Sequence, residues 1–159
     1  MSLLIRNAVP EDAALVLQLI RELADFEKLL HEVEAREEDI RRDLFGPHPK
    51  VFAELAFWDG APVGFSLWFY KWSTFQGRHG IWLEDLYVTP EARGRGIGKA
   101  LIRDLARRCV AEQLGRLEWW VLDWNESAIG FYKGLGGTMM DEWTKVRLTG
   151  DALEKLGTA

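Results

Sequence analysis

One stretch of this chain restricts its fold more than any other: Leu83 to Leu101, LEDLYVTPEARGRGIGKAL. A β-like run over Ile81 to Val88 passes into a loop carrying Gly94, Gly96 and Gly98. The loop opens a helix over Ile97 to Glu112, with Ile97, Leu101 and Leu105 on one face. A strand, a glycine-rich turn and a helix N-terminus together suit a pyrophosphate. Glycines let the backbone approach the anion, and the first helical N–H groups point at it with the helix dipole behind them. Arg93, Arg95 and Lys99 add positive charge nearby. The glycine spacing does not meet the dinucleotide pattern, and no Gly-Lys-Ser/Thr completes a nucleotide P-loop. A tight turn without a ligand would not call for three glycines and two arginines.

Around this stretch the periodicity alternates between 2 and 3.6. Leu3 to Arg6 reads as a short strand. Pro10-Glu11-Asp12 starts a long amphipathic helix, with Val16, Leu19, Ile20, Leu23, Phe26 and Leu30 at helical spacing. A second helix covers Arg36 to Leu44 and stops before Gly46-Pro47-His48-Pro49. Val51 to Trp58 and Pro62 to Tyr70 form a hairpin about Asp59-Gly60. Further on, Leu117 to Leu122 is a strand, Asn125 to Leu135 a helix ended by Gly136-Gly137, and Thr138 to Leu148 holds two short strands. The expected fold is α/β (α+β): one domain over residues 1–159, with a mixed sheet and helices on both faces.

Composition narrows the function classes. At 159 residues the chain can bury one sizeable core. No apolar run approaches the ~18 residues of a bilayer span. Met1 to Arg6 lacks the basic-then-apolar pattern of a signal peptide, so a cytoplasmic location and no membrane partner are expected. The net charge of −5 argues against nucleic acid. His31, His48 and His79 have no ligand spacing and Cys109 is the one cysteine, so no metal is expected and Cys109 reads as a small core residue. Eight tryptophans suggest an aromatic core and subunit interface, or a ring-walled pocket facing a cation.

Arg93-Gly94-Arg95-Gly96-Ile97-Gly98 resembles the Arg/Gln-x-x-Gly-x-Gly/Ala signature of the GNAT superfamily of N-acetyltransferases. Asn125-Glu126-Ser127-Ala128, followed by Phe131-Tyr132 and Gly136, resembles the other cofactor-side motif of that superfamily. Leu23-Ala24-Asp25-Phe26-Glu27, Leu83-Glu84-Asp85 and Trp124-Asn125-Glu126 are similar to the diamine (spermidine/spermine) and thialysine branch. The likeness runs from Ile5 to about Leu148. It implies a mostly antiparallel sheet of six to seven strands and a homodimer. It also implies acetyl-CoA as co-substrate and acetyl transfer to a primary amine of a small cationic substrate.

The resemblance also assigns roles. Leu86, Tyr87 and Val88 hold the pantetheine arm and supply an oxyanion donor through their backbone. Arg93, Gly94, Arg95, Gly96, Ile97, Gly98 and Lys99 hold the pyrophosphate. Asn125, Glu126, Ser127 and Ala128 contact the middle of the cofactor. Tyr132 is the general acid near the sulfur, and a phenol protonated at neutral pH can do this. Glu84 contacts the amine, and a carboxylate there can bind the ammonium and take its proton, directly or through a water. Asp85 is the second candidate to bind the amine; in a regular strand it faces the opposite side from Glu84, and a bulge would change that. Phe26 and Glu27 line the amine site, with Phe26 standing where the family usually has Tyr, and Asp141 and Glu142 face the same site. Residues 22–43 carry nine acids and four bases, an acidic surround suited to a polycation or simply solvated helix faces. Other acceptors consistent with the motifs are an amino acid, an antibiotic or a protein N-terminus. A binding module for acyl-CoA without catalysis would lack a general acid, and Tyr132 is present.

Overall fold

The computed structural model covers Met1–Ala159 and divides into two compact units, Met1–Trp120 and Val121–Ala159. The first unit is built on one sheet in the order β1 (Leu3–Asn7), β2 (Phe52–Trp58), β3 (Ala61–Ser73), β4 (Arg78–Val88) and β5 (Leu117–Trp119). Four strands run antiparallel to their neighbours, and β5 joins β4 in parallel. The β2–β3 hairpin turns on Asp59 and Gly60, both at positive φ, which matches the right-handed twist of its strands.

Helices cover both faces. α1 (Ala13–Phe26) and α2 (Glu37–Phe45) lie on one face, where Val16, Leu17, Leu19, Ile40 and Leu44 pack with Leu55, Phe65, Leu67 and Tyr87. α3 (Ile97–Ala111) covers the other, with Ile97 and Leu101 against Ala56, Val63, Leu86 and Val88. The first helix is shorter than its periodicity suggests. Pro10–Asp12 is a 3-10 turn, and the helix ends at Phe26, after which Lys28 takes a positive φ.

β3 and β4 do not pair residue for residue. Leu67 lies opposite Asp85 and Trp68 opposite Leu83, so Glu84 is the extra residue of a β-bulge. Upstream of it, Ile81 and Leu83 share the α3 face with Tyr70 and Trp68; downstream, Leu86 shares it with Ser66.

The second unit holds α4 (Glu126–Gly134) and α5 (Gly150–Gly157). The two strands expected within Thr138 to Leu148 are not formed there, so the sheet has five strands rather than six or seven. The alternation is present in Thr144, Val146 and Leu148, but a strand exists only in a hydrogen-bonded ladder, and none of this segment enters one. No helix is long and apolar enough to cross a membrane.

Beneath α3 the sheet buries polar side chains. Glu54 is 5% exposed, with Arg108 Nη2 3.8 Å from its carboxylate. Glu54 Oε2, Ser66 Oγ, Trp68 Nε1 and Arg108 Nε are buried without a hydrogen-bond partner. Burial, and then the charge of Asp104, push the Glu54 carboxyl up to about 7, with Arg108 acting in the opposite sense. The folded state therefore keeps a proton that the unfolded chain releases near its ordinary 4.5. Stability falls as pH rises across that window. Glu54→Gln should remove this slope, flattening the decline between about pH 4.5 and 7 by on the order of 1–3 kcal/mol relative to the parent. Urea midpoints measured across that range for both proteins check it.

Candidate active site

The bulge at Glu84 decides which side chains meet. Trp82 lies opposite Phe69, on the α1–α2 face of the sheet, and its indole Nε1 donates to Glu84 Oε2 at 2.8 Å. Asp85, opposite Leu67, is on that face as well. The two neighbouring carboxylates therefore share one face, where a regular strand would have parted them. Glu84 is exposed and Asp85 half-buried. Burial pushes the Asp85 carboxyl up to about 7, and the negative charges of Glu84 and then Glu27 add to the shift. Glu27, just past the end of α1, is itself pushed up by burial. Three carboxyls from two elements thus converge on one face, with Asp85 poised to exchange a proton near neutral pH.

β5 pairs with β4 only at Ile81–Leu83. From Glu84 to Val88 the β5-side edge of β4 has no ladder partner, which leaves main-chain groups beside Leu86, Tyr87 and Val88 able to bond a ligand. The glycine-rich loop follows. Gly94 and Gly96 both hold φ near +80°, at 79° and 77°, a region other residues avoid. A Cβ at either position would meet nothing within 4 Å, so the chain opens outward at this turn. Gly96 immediately precedes α3, whose N-terminus has no side-chain cap and no acid in its first turn. The first intrahelical bond there is Ala100 N–H to Gly96 O at 3.0 Å, so the N–H groups of Ile97, Gly98 and Lys99 have no partner within the helix. Lys99 is exposed beside them, and Arg95 lies over the Trp58 ring at 5.2 Å. This turn has the form of an anion site and suits a pyrophosphate.

Arg93, expected at the pyrophosphate, also makes contacts within the chain. Its guanidinium lies 4.7 Å from the Phe26 ring and 5.7 Å from that of Tyr87, and its Nε donates to Val88 O at 2.9 Å. It ties the start of the loop to β4 and to the end of α1. Phe26 carries this cation on its ring, and Tyr87 supports it from the core.

In the second unit, Asn125 caps α4, its Oδ1 accepting from Ala128 N at 3.3 Å. Glu126 and Ser127 are exposed in the first turn. Tyr132 follows on the same helix, with the Phe131 ring 5.4 Å away. Asp141 and Glu142 are exposed in the segment between α4 and α5. Sequence reasoning missed Trp82. Its signal was the spacing of two from Glu84 on a strand, which puts both on one face. A surface hollow of about 560 Å³ lined by Asp25, Lys28, Leu30 and His31 contains none of these residues.

The acetyltransferase (GNAT) family pattern matches residues 16–136. The chain belongs to the GNAT acetyltransferase family. It is 40% identical over 164 residues to a thialysine N-epsilon-acetyltransferase of Bos taurus, covering 96% of each chain. An L-ornithine N5-acetyltransferase of Arabidopsis thaliana is 28% identical, over 96% of this chain and 86% of that protein. Among solved structures, an integron cassette protein from the mobile metagenome of V. cholerae superposes with a TM-score of 0.83 at 25% identity, over 100% of this chain and 99% of that one. An aminoglycoside acetyltransferase from an uncultured soil sample shares the fold, with a TM-score of 0.77 at 24% identity, over 94% of this chain and 100% of that one.

A single methyl group at the turn tests the reading of the loop. Gly96→Ala would force a side chain into the left-handed region at a cost of about 1 kcal/mol. It would also crowd the approach to the helix N-terminus. Calorimetric titration should show at least ~10-fold weaker coenzyme A binding, consistent with 1.4 kcal/mol per decade. The far-ultraviolet dichroism should be unchanged.

Proposed function

We propose that this chain transfers the acetyl group of acetyl-CoA directly to a primary amine of a small cationic substrate, such as a polyamine, a diamine or a thialysine-like amine. The observation that carries the reading is the bulge, which sets Glu84 and Asp85 side by side on the face toward Glu27. An alkylammonium with a pKa near ~10 is not a nucleophile until it loses a proton. Clustered carboxyls both attract it and provide a place for that proton.

Bound acetyl-CoA supplies the thioester, which is already activated toward amines. The residues of the chain do the rest. Glu84, its carboxylate oriented by the Trp82 indole, holds the ammonium. Asp85, held up to about 7 by burial and by its acidic neighbours, accepts the proton. The freed amine nitrogen attacks the thioester carbon, and main-chain donors on the open edge of β4 stabilise the oxyanion. Tyr132 gives its phenolic proton to the departing sulfur, and the second proton shed by the nitrogen as the amide forms restores the phenol through solvent. Direct transfer needs no acyl-enzyme, and Cys109, 9% exposed on the buried side of α3 with its thiol pushed up by burial, is unsuited to form one. We also read the protein as a cytoplasmic homodimer. Exposure of Trp72, Trp120, Trp124 and Trp143 supports the pairing, since large rings left at a surface favour an interface.

Thiol release from acetyl-CoA across spermidine, spermine, putrescine, thialysine, lysine, an aminoglycoside and a peptide tests the activity. Fast release with a small polyamine, diamine or thialysine is expected. Silence across the panel despite tight acetyl-CoA binding would leave only a binding role. Tyr132→Phe should lower kcat by roughly 10²-fold or more while acetyl-CoA affinity stays nearly intact. Unchanged turnover would remove the phenol from the mechanism. Because Asp85 must be ionised to accept a proton, kcat/KM should rise with pH through about 7. Asp85→Asn should abolish that limb as well as reduce the rate.

A further inference from the structure

A second set of charges lies on the same sheet face, beyond Glu84 and outside the residues assigned above. Lys71 on β3 places its Nζ 4.8 Å from the centroid of the Trp82 ring. Trp82 is the residue whose Nε1 donates to Glu84, so one indole separates the Lys71 ammonium from the Glu84 carboxylate. Glu118 on β5 pairs with Trp82 in register and therefore shares its face. Its carboxylate is 3.8 Å from Lys71 Nζ and 3.8 Å from Arg116 Nη1. The Trp120 ring packs edge-on against Trp82 at 5.4 Å. The face thus runs negative at Glu84, positive at Lys71 and negative at Glu118, around a rigid and largely buried ring.

A polyamine or plain diamine has only cations to offer this row, and Lys71 stands where its distal ammonium would fall. A diamino acid matches it. Its side-chain amine faces Glu84, and about 7–8 Å away, six single bonds of standard length in an extended chain, it carries a carboxylate and an α-ammonium together. Lys71 complements the carboxylate and Glu118 the α-ammonium. We propose that Lys71 determines acceptor specificity by pairing with the α-carboxylate of a diamino acid, with Glu118 holding the α-ammonium. This rests on the reading of the protein as an amine acetyltransferase. Trp82 is the positioning residue between the two ends, since it orients Glu84 with its N–H and Lys71 with its ring face.

The experiment compares thialysine with bis(2-aminoethyl) sulfide, the same chain without the carboxylate, in the full-length protein and in Lys71→Met and Lys71→Arg variants. The parent should favour thialysine in kcat/KM. Lys71→Met should lower kcat/KM for thialysine roughly 10- to 100-fold, mainly through KM, the scale of one charge-assisted contact. The same change should raise kcat/KM for the sulfide diamine several-fold, because a like charge is gone. Lys71→Arg should restore the preference, which a merely structural role for the side chain would not predict. Glu118→Gln should weaken thialysine more than 6-aminohexanoate, which lacks the α-ammonium. A parent that prefers the diamine, or a Lys71→Met change equal for both acceptors, overturns the subsite while leaving amine acetylation standing. A parent that acetylates no amine at all overturns the acetylation reading, and the subsite with it.

Discussion

β4 has one residue more than β3 can pair, and the arrangement of both faces of the sheet depends on where that residue falls. Ile81 and Leu83 are buried on the α3 side, across from Tyr70 and Trp68. Continued in strict alternation, the strand would send Asp85 and Tyr87 under α3 and turn Leu86 and Val88 away from it. A carboxylate would then lie beneath a helix, in place of the contacts Leu86 and Val88 make with Ile97 and Leu101. The bulge at Glu84 resets the alternation, since a slip of one residue moves every later side chain to the other face. The same insertion therefore closes the apolar core under α3 and delivers two adjacent carboxylates to the α1–α2 face. Core and site share one cause in the register.

Two carboxyls in this protein are pushed up to about 7, and they differ in what they can do. Glu54 is buried under α3 with Arg108 and unpartnered polar atoms around it, and its shift is a burden on stability at higher pH. Asp85 has a shift of the same sign but stands beside an exposed Glu84, on the stretch of β4 whose outer edge is open. A perturbed carboxyl alone does not mark a site. Access and neighbours with complementary chemistry do. Arg93 joins these neighbours mechanically, bonding Val88 O and stacking on Phe26, so that it ties the start of the glycine turn to the end of α1.

Features that depend on neighbours in sequence are legible in the residues themselves. Helical spacing locates α2 and α3, Asp59-Gly60 sets the hairpin, and the glycines with their flanking arginines point to an anion at a helix N-terminus. Pairing properties are not legible in this way. Nothing in the letters Leu83-Glu84-Asp85 says that β3 will skip one of them, because register belongs to two strands at once. Lys71, Trp82 and Glu118 come from three strands and meet only once β3, β4 and β5 are aligned. The alternation in Thr144, Val146 and Leu148 is real, yet no ladder forms there, for a strand is a relation to a neighbour. Arg93 reads as one more phosphate ligand by its place in the motif. The aromatic rings that hold it, Phe26 and Tyr87, are 67 and 6 positions away in the chain.

The acidic character of residues 22–43 illustrates the same distinction between counting and placement. Arg36 pairs with Glu38 and Asp39, Arg41 with Glu37, and Arg42 with Asp39 and Asp43. Most of the acids of α2 are thus matched by bases within a turn of the same helix, at exposed positions where such pairs contribute little to stability. They project little net field beyond the surface. The charge that bears on a cationic acceptor is instead the group at Glu27, Glu84 and Asp85, where burial and mutual repulsion act on carboxyls held close together. That repulsion is relieved when an ammonium arrives or a proton is taken up, which is what supports the proposed amine acetylation. In the proposed subsite, the polarity set along the face by Lys71 and Glu118 selects which ammonium-bearing molecule lies correctly.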